Sequence, residues 1–477
     1  MTFKSSRFII LLIWVSVSTC VVADIRPNII YILADDLGYG DLSCYGQEKF
    51  KTPNIDRLAE RGMKLTQHYS GSTVCAPSRS SLLTGLHTGH TPIRGNLEVK
   101  PEGQHPIPKE VLTLPKLLRA NGYTTGMFGK WGLGYPGSEG DPNEHFNQFF
   151  GFNCQRLGHH YYPRHLWNNR EKAHILDNAG KQKKVYAPSI IHDQVLRFIE
   201  DNASKPFFCF IPTIIPHAEL IAPEKYMERF RGKIPEGEPY VGLDDGPEYR
   251  QGKYESQKEP RVAFAAMISL LDDQVGEIVE KLESLGISEQ TLIIFASDNG
   301  PHQVAGGDPD FFNSNAGFRG YKRDLYEGGI RIPMIAYWPG QIAPSSESNH
   351  ISAFWDVLPT LAELIGAEIP DSLDGISFLP TLFGQAEDQQ EHEYLYWEFH
   401  EKGGRLAIRK GNWKAVQYNV LSSSEPYIEL YNLEKDLFEK HDLSDQHPNL
   451  IKEFRELFKT SRTPSSIFKF QHQGYRG

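Results

Sequence analysis

Residues 72–85 have the sequence Ser-Thr-Val-Cys-Ala-Pro-Ser-Arg-Ser-Ser-Leu-Leu-Thr-Gly. Pro77 suits the first turn of a helix, because its ring presets φ and the N–H that it lacks has no helical partner there. Gly85 can close that helix, which places Cys75 just before an N-terminus that favours an anion. Arg79 adds a permanently charged fork suited to a tetrahedral oxyanion. The stretch predicts an acidified, reactive cysteine facing an anion; the alternative is a buried structural cysteine beside a surface arginine.

The composition indicates a globular protein with a sizeable core. The chain has 477 residues, enough for one large domain and a smaller one. Its net charge of −10 argues against a nucleic-acid partner, since a general nucleic-acid binder needs clustered Lys and Arg. An anionic ligand must therefore be met by a locally positive pocket inside a negative protein.

The N-terminus has the pattern of an export signal. Two cationic residues precede an apolar run over residues 8–17 that is too short to span a bilayer. Val21-Val-Ala23 then supplies a cleavage site. We expect residues 1–23 to be a cleaved signal peptide, and the mature protein to be periplasmic or secreted with no stable membrane insertion. Lipoprotein processing at Cys20 is the alternative, although the residue before it makes a poor lipobox.

Four apolar runs predict buried strands, and each is followed by polar residues. The runs are residues 27–33, 123–128, 206–211 and 291–296. The residues that follow them are Asp35-Asp36, Gly129-Lys130-Trp131, Pro216-His217 and Asp298-Asn299-Gly300. Because ligands bind at the carboxyl edge of an open α/β sheet, we expect these four strand ends to converge on one crevice.

Asp35, Asp36, Asp298 and Asn299 form an all-oxygen ligand set. Two adjacent carboxylates repel one another and most naturally share a cation at a strand end; the alternative is a turn with an Asx cap. Hard oxygen donors without His or Cys suit calcium or magnesium rather than zinc, and several carboxylates on one cation favour calcium. The sequence therefore predicts one bound Ca²⁺ ion.

Helical patterns separate these strands. Thr52 is the expected N-cap of a helix that stops at Gly62, and further helices are predicted over residues 113–121, 189–202 and 261–285. On the last of these, Asp272 and Asp273 are expected to be solvated. From Tyr394 onward, short alternating runs predict strands, and residues 449–460 predict a closing helix. We expect a catalytic domain over residues 24–385 and a C-terminal subdomain over residues 386–477.

The stretch from Cys75 to Arg79, with Ser-Ser-Leu-Leu-Thr-Gly85 after it, resembles the Cys-x-Pro-Ser-Arg signature of type I sulfatases. The four polar strand ends, and Lys322 ahead of Tyr326-Glu-Gly-Gly329, also fall in sulfatase order. The resemblance covers most of the mature chain. It implies an α/β fold of the alkaline-phosphatase-like kind, with a large mixed sheet flanked by helices and a smaller C-terminal subdomain containing an antiparallel sheet and a helix.

The resemblance also implies a chemistry. In that family the cysteine is oxidised to formylglycine by a maturation enzyme, and the hydrate of the aldehyde attacks sulfur. On this basis Cys75 is the nucleophile and a further metal ligand, and Arg79 holds it. Lys130 and Lys322 bind the sulfate, and His217 binds sulfate and is the first choice for general acid. The implied activity is a sulfuric ester hydrolase acting on a sulfated saccharide, with galactose- or N-acetylgalactosamine-type sugars as first candidates.

One departure from the family pattern concerns position 132. Sulfatases often carry a histidine two residues after the lysine of the second signature, whereas this chain has Gly132. The glycine is expected to leave space beside the nucleophile, and His302 is predicted to supply an imidazole from another side. Two alternatives stay open: a phosphate or phosphonate ester hydrolase of the same superfamily, and a non-catalytic glycan-binding protein.

The sequence also offers candidate residues for contacts with a sugar. Nine polar residues lie near motif positions: His87, His90, Arg94, Asn96, His159, His160, Glu219, Asp308 and Asp324. Each could bind a sugar hydroxyl, but taken singly each is better explained as a solvated loop residue.

Overall fold

The computed structural model describes residues 26–180, 182–244, 254–420 and 427–469, so the expected signal peptide lies outside the described residues. The strands are β1 (Asn28–Ala34), β2 (Met63–Tyr69), β3 (Glu98–Val99), β4 (Gly103–Gln104), β5 (Thr124–Lys130), β6 (Gln148–Phe152), β7 (His165–Asn168), β8 (Glu171–His174), β9 (Phe207–Pro212), β10 (Thr291–Ser297), β11 (Arg331–Tyr337), β12 (Ser346–Ser348), β13 (Ser352–Ala353), β14 (Leu395–Phe399), β15 (Arg405–Lys410), β16 (Trp413–Tyr418) and β17 (Tyr427–Asn432). The α-helices are α1 (Pro53–Arg61), α2 (Cys75–Thr84), α3 (Leu114–Ala120), α4 (Pro142–His145), α5 (Ala187–Asn202), α6 (Glu224–Met227), α7 (Pro260–Ser284), α8 (Pro309–Phe312), α9 (Glu327–Ile330), α10 (Val357–Leu364), α11 (Leu379–Leu382) and α12 (Pro448–Thr460).

A large mixed sheet forms the centre of the protein. Its order is β12-β2-β11-β10-β1-β9-β5-β6-β7-β8, with β13 also paired to β2. The four strands predicted as buried are β10, β1, β9 and β5; they lie side by side and parallel, so their carboxyl ends share one edge. The strands β11 and β7 run antiparallel to their inner neighbours. The convergence predicted from the sequence is confirmed.

Both faces of this sheet are covered, which explains why its central strands are apolar throughout. Ile30 and Ile32 of β1 pack into a core shared with α1, α5 and α7. Tyr31 and Leu33 point the other way, into a core shared with α2, α3 and α10. Alternate side chains of a strand point to opposite faces, so a strand buried on both sides cannot alternate in polarity.

The start of α1 differs from the prediction. Thr52 occupies the N-cap position, but its side chain accepts no hydrogen bond from the helix. Asp272 of α7 caps it instead, accepting hydrogen bonds from the backbone N–H groups of Asn54 at 3.0 Å and Ile55 at 2.8 Å. The expectation that Asp272 is solvated is therefore wrong: its carboxylate is buried because it serves the free N–H groups of another helix.

The C-terminal part forms a separate antiparallel sheet in the order β14-β15-β16-β17, and α12 packs against it. A buried ion cluster joins this sheet to the large domain. The Lys414 ammonium on β16 lies 2.9 Å from Glu327 Oε1 on α9 and 2.9 Å from Glu439 Oε1. Burial alone would raise both carboxyl pKa values; Lys414 lowers that of Glu327, whereas burial keeps that of Glu439 raised.

Within the described residues, we find no helix with the length and apolar character needed to cross a bilayer.

We expect Lys414→Met to reduce the free energy of unfolding by about 3–5 kcal/mol near neutral pH, because two buried carboxylates lose the cation that they share. The loss should shrink as the pH falls. Without the ammonium both folded-state carboxyl pKa values rise, so protonation at low pH offsets part of the loss in the folded variant. Urea unfolding at several pH values measures both effects. Lys410→Met, which removes an exposed pair with Glu453, is the matched control and should cost about 1 kcal/mol or less. Equal losses in the two variants would contradict this prediction.

Candidate active site

The carboxyl ends of the parallel strands bring the predicted site residues together. Asp35 and Asp36 follow β1, Asp298 and Asn299 follow β10, and Lys130 ends β5. Cys75 and Arg79 come from α2, and Lys322 comes from the loop before α9. All of these side chains are buried or nearly so, which makes every unpaired charge among them costly.

Helix α2 presents Cys75 to the other groups. The helix begins at Cys75 itself rather than after it, with Val74 at the N-cap. Gly85 ends it as predicted, with φ at 70° and its N–H donating to Ser81 O at 3.1 Å. The whole helix is buried, so the cysteine is fixed at its first turn.

Arg79 ties three strand ends together. Its Nε and Nη2 donate to Asp298 Oδ2 at 3.1 and 2.9 Å, and its Nη1 donates to the carbonyl of Lys130. Nη2 also lies 3.5 Å from Asp35 Oδ2. A planar guanidinium can satisfy several acceptors at once, so Arg79 holds the ends of β10, β5 and β1 in register around Cys75.

Two ammonium groups flank the thiol. Lys130 Nζ lies 2.7 Å from Asp35 Oδ2 and 3.7 Å from Cys75 Sγ. Lys322 Nζ lies 2.6 Å from Asp36 Oδ1 and 3.5 Å from Cys75 Sγ. Burial would raise the pKa of Asp35, but Lys130 and the neighbouring cations bring that pKa well below its usual range. The site therefore offers a positive pair of groups around position 75.

The thiol itself is not acidified, and the sequence-based expectation is wrong on this point. Burial first and Asp35 second raise the pKa of Cys75 to about 12, because together they outweigh the lowering by Lys130 and Lys322. Cys75 Sγ donates to Asp35 Oδ1 at 3.3 Å, which is the bond of a protonated thiol. The helix N-terminus and two lysines do not outweigh complete burial beside a carboxylate.

The carboxylates in this cluster suit a hard cation, whereas Cys75 and His217 add softer ligand atoms. Asp35, Asp36, Cys75 and His217 each place a possible ligand atom within 4.8 Å of the others. The side-chain oxygen of Asn299 is buried beside them with no hydrogen-bond partner among the described residues, while its Nδ2 donates to Asp36 Oδ1 at 2.7 Å. A buried amide oxygen with no hydrogen-bond partner, next to two carboxylates, is the kind of donor that Ca²⁺ prefers.

Asp298, predicted as a metal ligand, also accepts hydrogen bonds from Arg79 and from the backbone of Asp36. Its Oδ2 is bound by Arg79, and its Oδ1 accepts the backbone N–H of Asp36 at 3.1 Å. Burial and Asp35 raise the pKa of Asp298 to about 7. A cation bound beside Asp298 would offset both effects and favour its ionised form.

His217 lies at the edge of the same cluster. Its Nδ1 donates to the Ala218 carbonyl, so Nε2 of the neutral ring carries a lone pair, 3.4 Å from Asp36 Oδ2. Burial and Lys322 lower the pKa of His217 well below its usual value. His159 stacks on the ring at 4.5 Å. A neutral imidazole is thus held with its free nitrogen towards the carboxylates.

His302 lies beside His217 and is not among the described residues that line the cavity above Cys75. Its Nε2 lies 3.4 Å from the Pro216 carbonyl, and its ring centre is 5.9 Å from that of His217. The cavity above Cys75 is lined instead by the neighbouring Val304. His302 therefore supports the segment that carries His217, and a direct role for it stays a prediction.

A cavity of about 280 Å³ opens over this cluster. Its described lining consists of Cys75, Asn96, Glu98, Gln104, Gln155, Arg156, His159, His217, Tyr254, Val304, Lys322 and Arg323. Of the nine polar residues considered for sugar binding, Asn96 and His159 line the cavity. The others have partners elsewhere: His87 and His90 share Asp374, Arg94 pairs with Glu398, His160 lies beside Glu219, Asp308 pairs with Arg261, and Asp324 pairs with Arg405.

Sequence reasoning missed Gln155 and misjudged the space at Gly132. A Cβ on Gly132 would lie 2.0 Å from Gln155 Nε2, so the glycine leaves no empty volume. The only signal in the sequence was the missing histidine itself; nothing in a sequence says which distant side chain fills the space.

Comparisons with known proteins agree on one family. A family model described as Sulfatase matches residues 27–367, and one described as N-sulphoglucosamine sulphohydrolase, C-terminal, matches residues 317–463. Human arylsulfatase A is 32% identical over 87% of this chain and 83% of its own length. N-acetylgalactosamine-6-O-sulfatase of Bacteroides thetaiotaomicron is 29% identical over 92% and 93%. The solved structure of Ps i-CgsB in complex with k-i-k-neocarrahexaose superposes with a TM-score of 0.76 at 28% identity, covering 91% of this chain and 93% of that chain.

We expect Cys75 of unmodified, calcium-free protein to react very slowly with iodoacetamide near neutral pH. Because the thiolate is the reacting form, a pKa raised from 9.0 to about 12 lowers its fraction roughly thousandfold. Peptide mass spectrometry across a pH series measures the rate at this residue. The same protein in denaturant is the control and should react at the ordinary rate. Native and denatured rates that coincide near neutral pH would contradict the raised pKa.

Proposed function

From the premise that this chain belongs to the type I sulfatases of the alkaline phosphatase superfamily, we propose that it hydrolyses sulfate esters of a carbohydrate. The proposed reaction uses a formylglycine made from Cys75 and one Ca²⁺ ion. The overall change is R–O–SO₃⁻ + H₂O → R–OH + HSO₄⁻, in which the ester oxygen leaves sulfur and water supplies the new oxygen.

The position of Cys75, beside Asp35 and between two ammonium groups, is the observation that carries this proposal. A thiol with a pKa of about 12 is a poor nucleophile at neutral pH, although it lies between two lysines that are placed to bind an oxyanion. Oxidation to an aldehyde, whose hydrate presents an oxygen nucleophile, supplies what the thiol lacks. We propose a formylglycine-generating enzyme as the partner that performs this oxidation.

The remaining groups fit roles in the same reaction. Asp35, Asp36, Asp298, Asn299 and the side chain at position 75 would hold calcium, which supplies positive charge for the sulfuryl oxygens. Three carboxylates face three cations in this cluster, namely Arg79, Lys130 and Lys322. With the carboxylates neutralised by the dication, Lys130 and Lys322 become available to bind the sulfate.

His217 would act on the leaving oxygen. Its Nδ1 is committed to the Ala218 carbonyl, so only Nε2 can exchange a proton in the cavity. A dianionic transition state beside the ring favours its protonated form, which offsets the effect of burial on the pKa. Arg79 would keep position 75 in place through Asp298 and the Lys130 carbonyl.

A sulfated saccharide fits the cavity because polar and aromatic side chains surround its floor. Asn96, Glu98 and Gln104 offer donors and acceptors for hydroxyl groups, and Tyr254 offers a ring. We propose a galactose- or N-acetylgalactosamine-type sugar. The relative named N-acetylgalactosamine-6-O-sulfatase and the neocarrahexaose complex of Ps i-CgsB support this class.

We further propose that the protein is exported after removal of residues 1–23. Residues 24–385 would form the catalytic domain and residues 386–477 the C-terminal subdomain.

We expect protein matured with a formylglycine-generating enzyme to release sulfate from sulfated galactose or N-acetylgalactosamine saccharides. Mass spectrometry of the Cys75 peptide should show the aldehyde in the active fraction, and Cys75→Ala should abolish turnover. Matched aryl sulfate and aryl phosphate esters separate a sulfatase from a phosphate or phosphonate hydrolase. Activity in protein whose Cys75 is wholly a thiol would refute the mechanism, and faster phosphate than sulfate hydrolysis would refute the substrate class.

We expect Asn299→Ala to require at least about tenfold more calcium for the same thermal stabilisation, because the orphaned amide oxygen is lost as a ligand. The readout is the melting temperature as a function of Ca²⁺ concentration, which does not depend on turnover. Asn202→Ala, which removes a buried amide that donates to Phe198 O far from the site, is the control and should keep the wild-type calcium dependence. An unchanged calcium titration in Asn299→Ala would exclude this residue as a ligand.

A further inference from the structure

Gln155 lies beside the backbone of Gly132. Two hydrogen bonds join the segments: Trp131 N–H donates to Phe152 O at 2.8 Å, and Gly132 N–H donates to Asn153 O at 3.2 Å. Asn153 is tied in turn to the Glu102 carbonyl at 2.7 Å. Backbone pairing thus holds this segment beside Gly132, and a Cβ at position 132 would lie 2.0 Å from Gln155 Nε2.

The carboxamide of Gln155 is buried and forms no hydrogen bond with the other described residues. The side chain lines the cavity that also exposes Cys75, and the residue is only 7% exposed. Neither Nε2 nor Oε1 has a hydrogen-bond partner among the described residues. Its backbone N–H does have one, the side-chain oxygen of Gln104 at 3.3 Å. Burying an amide with both polar atoms unpaired reduces the stability of the protein. A ligand or a chemically altered neighbour would remove this cost by forming hydrogen bonds with the amide.

The hydrogen-bonding groups of the Gln155 amide indicate which partner it can bind. Nε2 can only donate and Oε1 can only accept, so a hydroxyl group, which does both, satisfies the carboxamide best. A thiol is a weak partner on both counts. The amide cannot take up a proton near neutral pH, and therefore it can orient a hydroxyl but cannot act as its base.

We propose that Gln155 orients the hydroxyl-bearing side chain at position 75, filling with a non-titrating amide the place that Gly132 leaves without a side chain. The inference rests on the proposed conversion of Cys75. In this proposal the Gln155 amide orients the nucleophile, and other groups transfer the proton. Because an amide does not titrate near neutral pH, Gln155 should add no ionisation to the pH–rate profile.

The contact between positions 132 and 155 can be tested first, without turnover. Gly132→Ala should lower the melting temperature more in the wild-type background than in Gln155→Ala, because the clash at 2.0 Å exists only when the amide is present. The strain of alanine at a φ of 77° is common to both backgrounds and cancels in this double-mutant cycle. Equal effects in the two backgrounds would overturn the placement of Gln155.

The orienting role is tested with Gln155→Met, which keeps the length of the side chain and removes both polar atoms. We expect kcat on an aryl sulfate to fall about ten- to hundredfold, as for the loss of a hydrogen bond to a reacting group. The aldehyde at position 75 should react several-fold faster with a hydrazide probe, since its hydrate loses a partner. Mass spectrometry measures aldehyde content, and rates are normalised to it. Gln274→Met, whose amide donates to Pro188 O and does not line this cavity, is the control and should match the wild type.

Gln155→His supplies a third readout and a second variant if the methionine protein folds poorly. It should retain more activity than Gln155→Met, and its pH–rate profile should gain an ionisation near the ordinary histidine range. Wild-type kinetics and probe reactivity in Gln155→Met would overturn the inference. An inactive wild-type protein with complete aldehyde would instead refute the proposed function, so the two failures are distinguishable.

Discussion

A buried cluster of alternating charges at the carboxyl edge of the sheet is the constraint on which the site depends. Arg79 binds Asp298, Lys130 binds Asp35, and Lys322 binds Asp36, all with little or no exposure to solvent. Burying any one of these charges alone would cost several kcal/mol, so removal of one partner affects the whole set. The requirement that every charge be paired fixes the ends of β1, β5 and β10 relative to α2.

The same burial disfavours the thiolate form of Cys75. Desolvation beside Asp35 keeps Cys75 protonated in spite of two neighbouring ammonium groups. The environment is suited to an oxygen nucleophile and an oxyanion, since both lysines and the amide of Gln155 can bind oxygen. The proposed maturation would place an oxygen nucleophile in this environment.

The C-terminal sheet contributes by holding the loop that carries Lys322. Arg405 of β15 donates to the Arg323 carbonyl at 2.9 Å and pairs with Asp324, immediately after Lys322. Further along, the buried Lys414 cluster fixes Glu327 at the start of α9. The small domain therefore sets the position of a residue in the active site, although none of the described cavity-lining residues belongs to its strands.

The sequence by itself determined the fold class, the four central strands and the residues gathered at their ends. The strands and their polar ends follow from local patterns, since strands covered on both faces must be apolar throughout and the polar groups that follow Leu33 or Ala296 then lie at one edge. The alkaline-phosphatase-like fold class follows from the resemblance of the motifs to those of sulfatases. Only the tertiary structure decided the protonation of Cys75, the burial of Asp272 against α1, and the filling of the space at Gly132 by Gln155. Each of these depends on which distant groups come within a few ångströms and on how much water they exclude, and neither quantity is encoded in the spacing of residues along the chain.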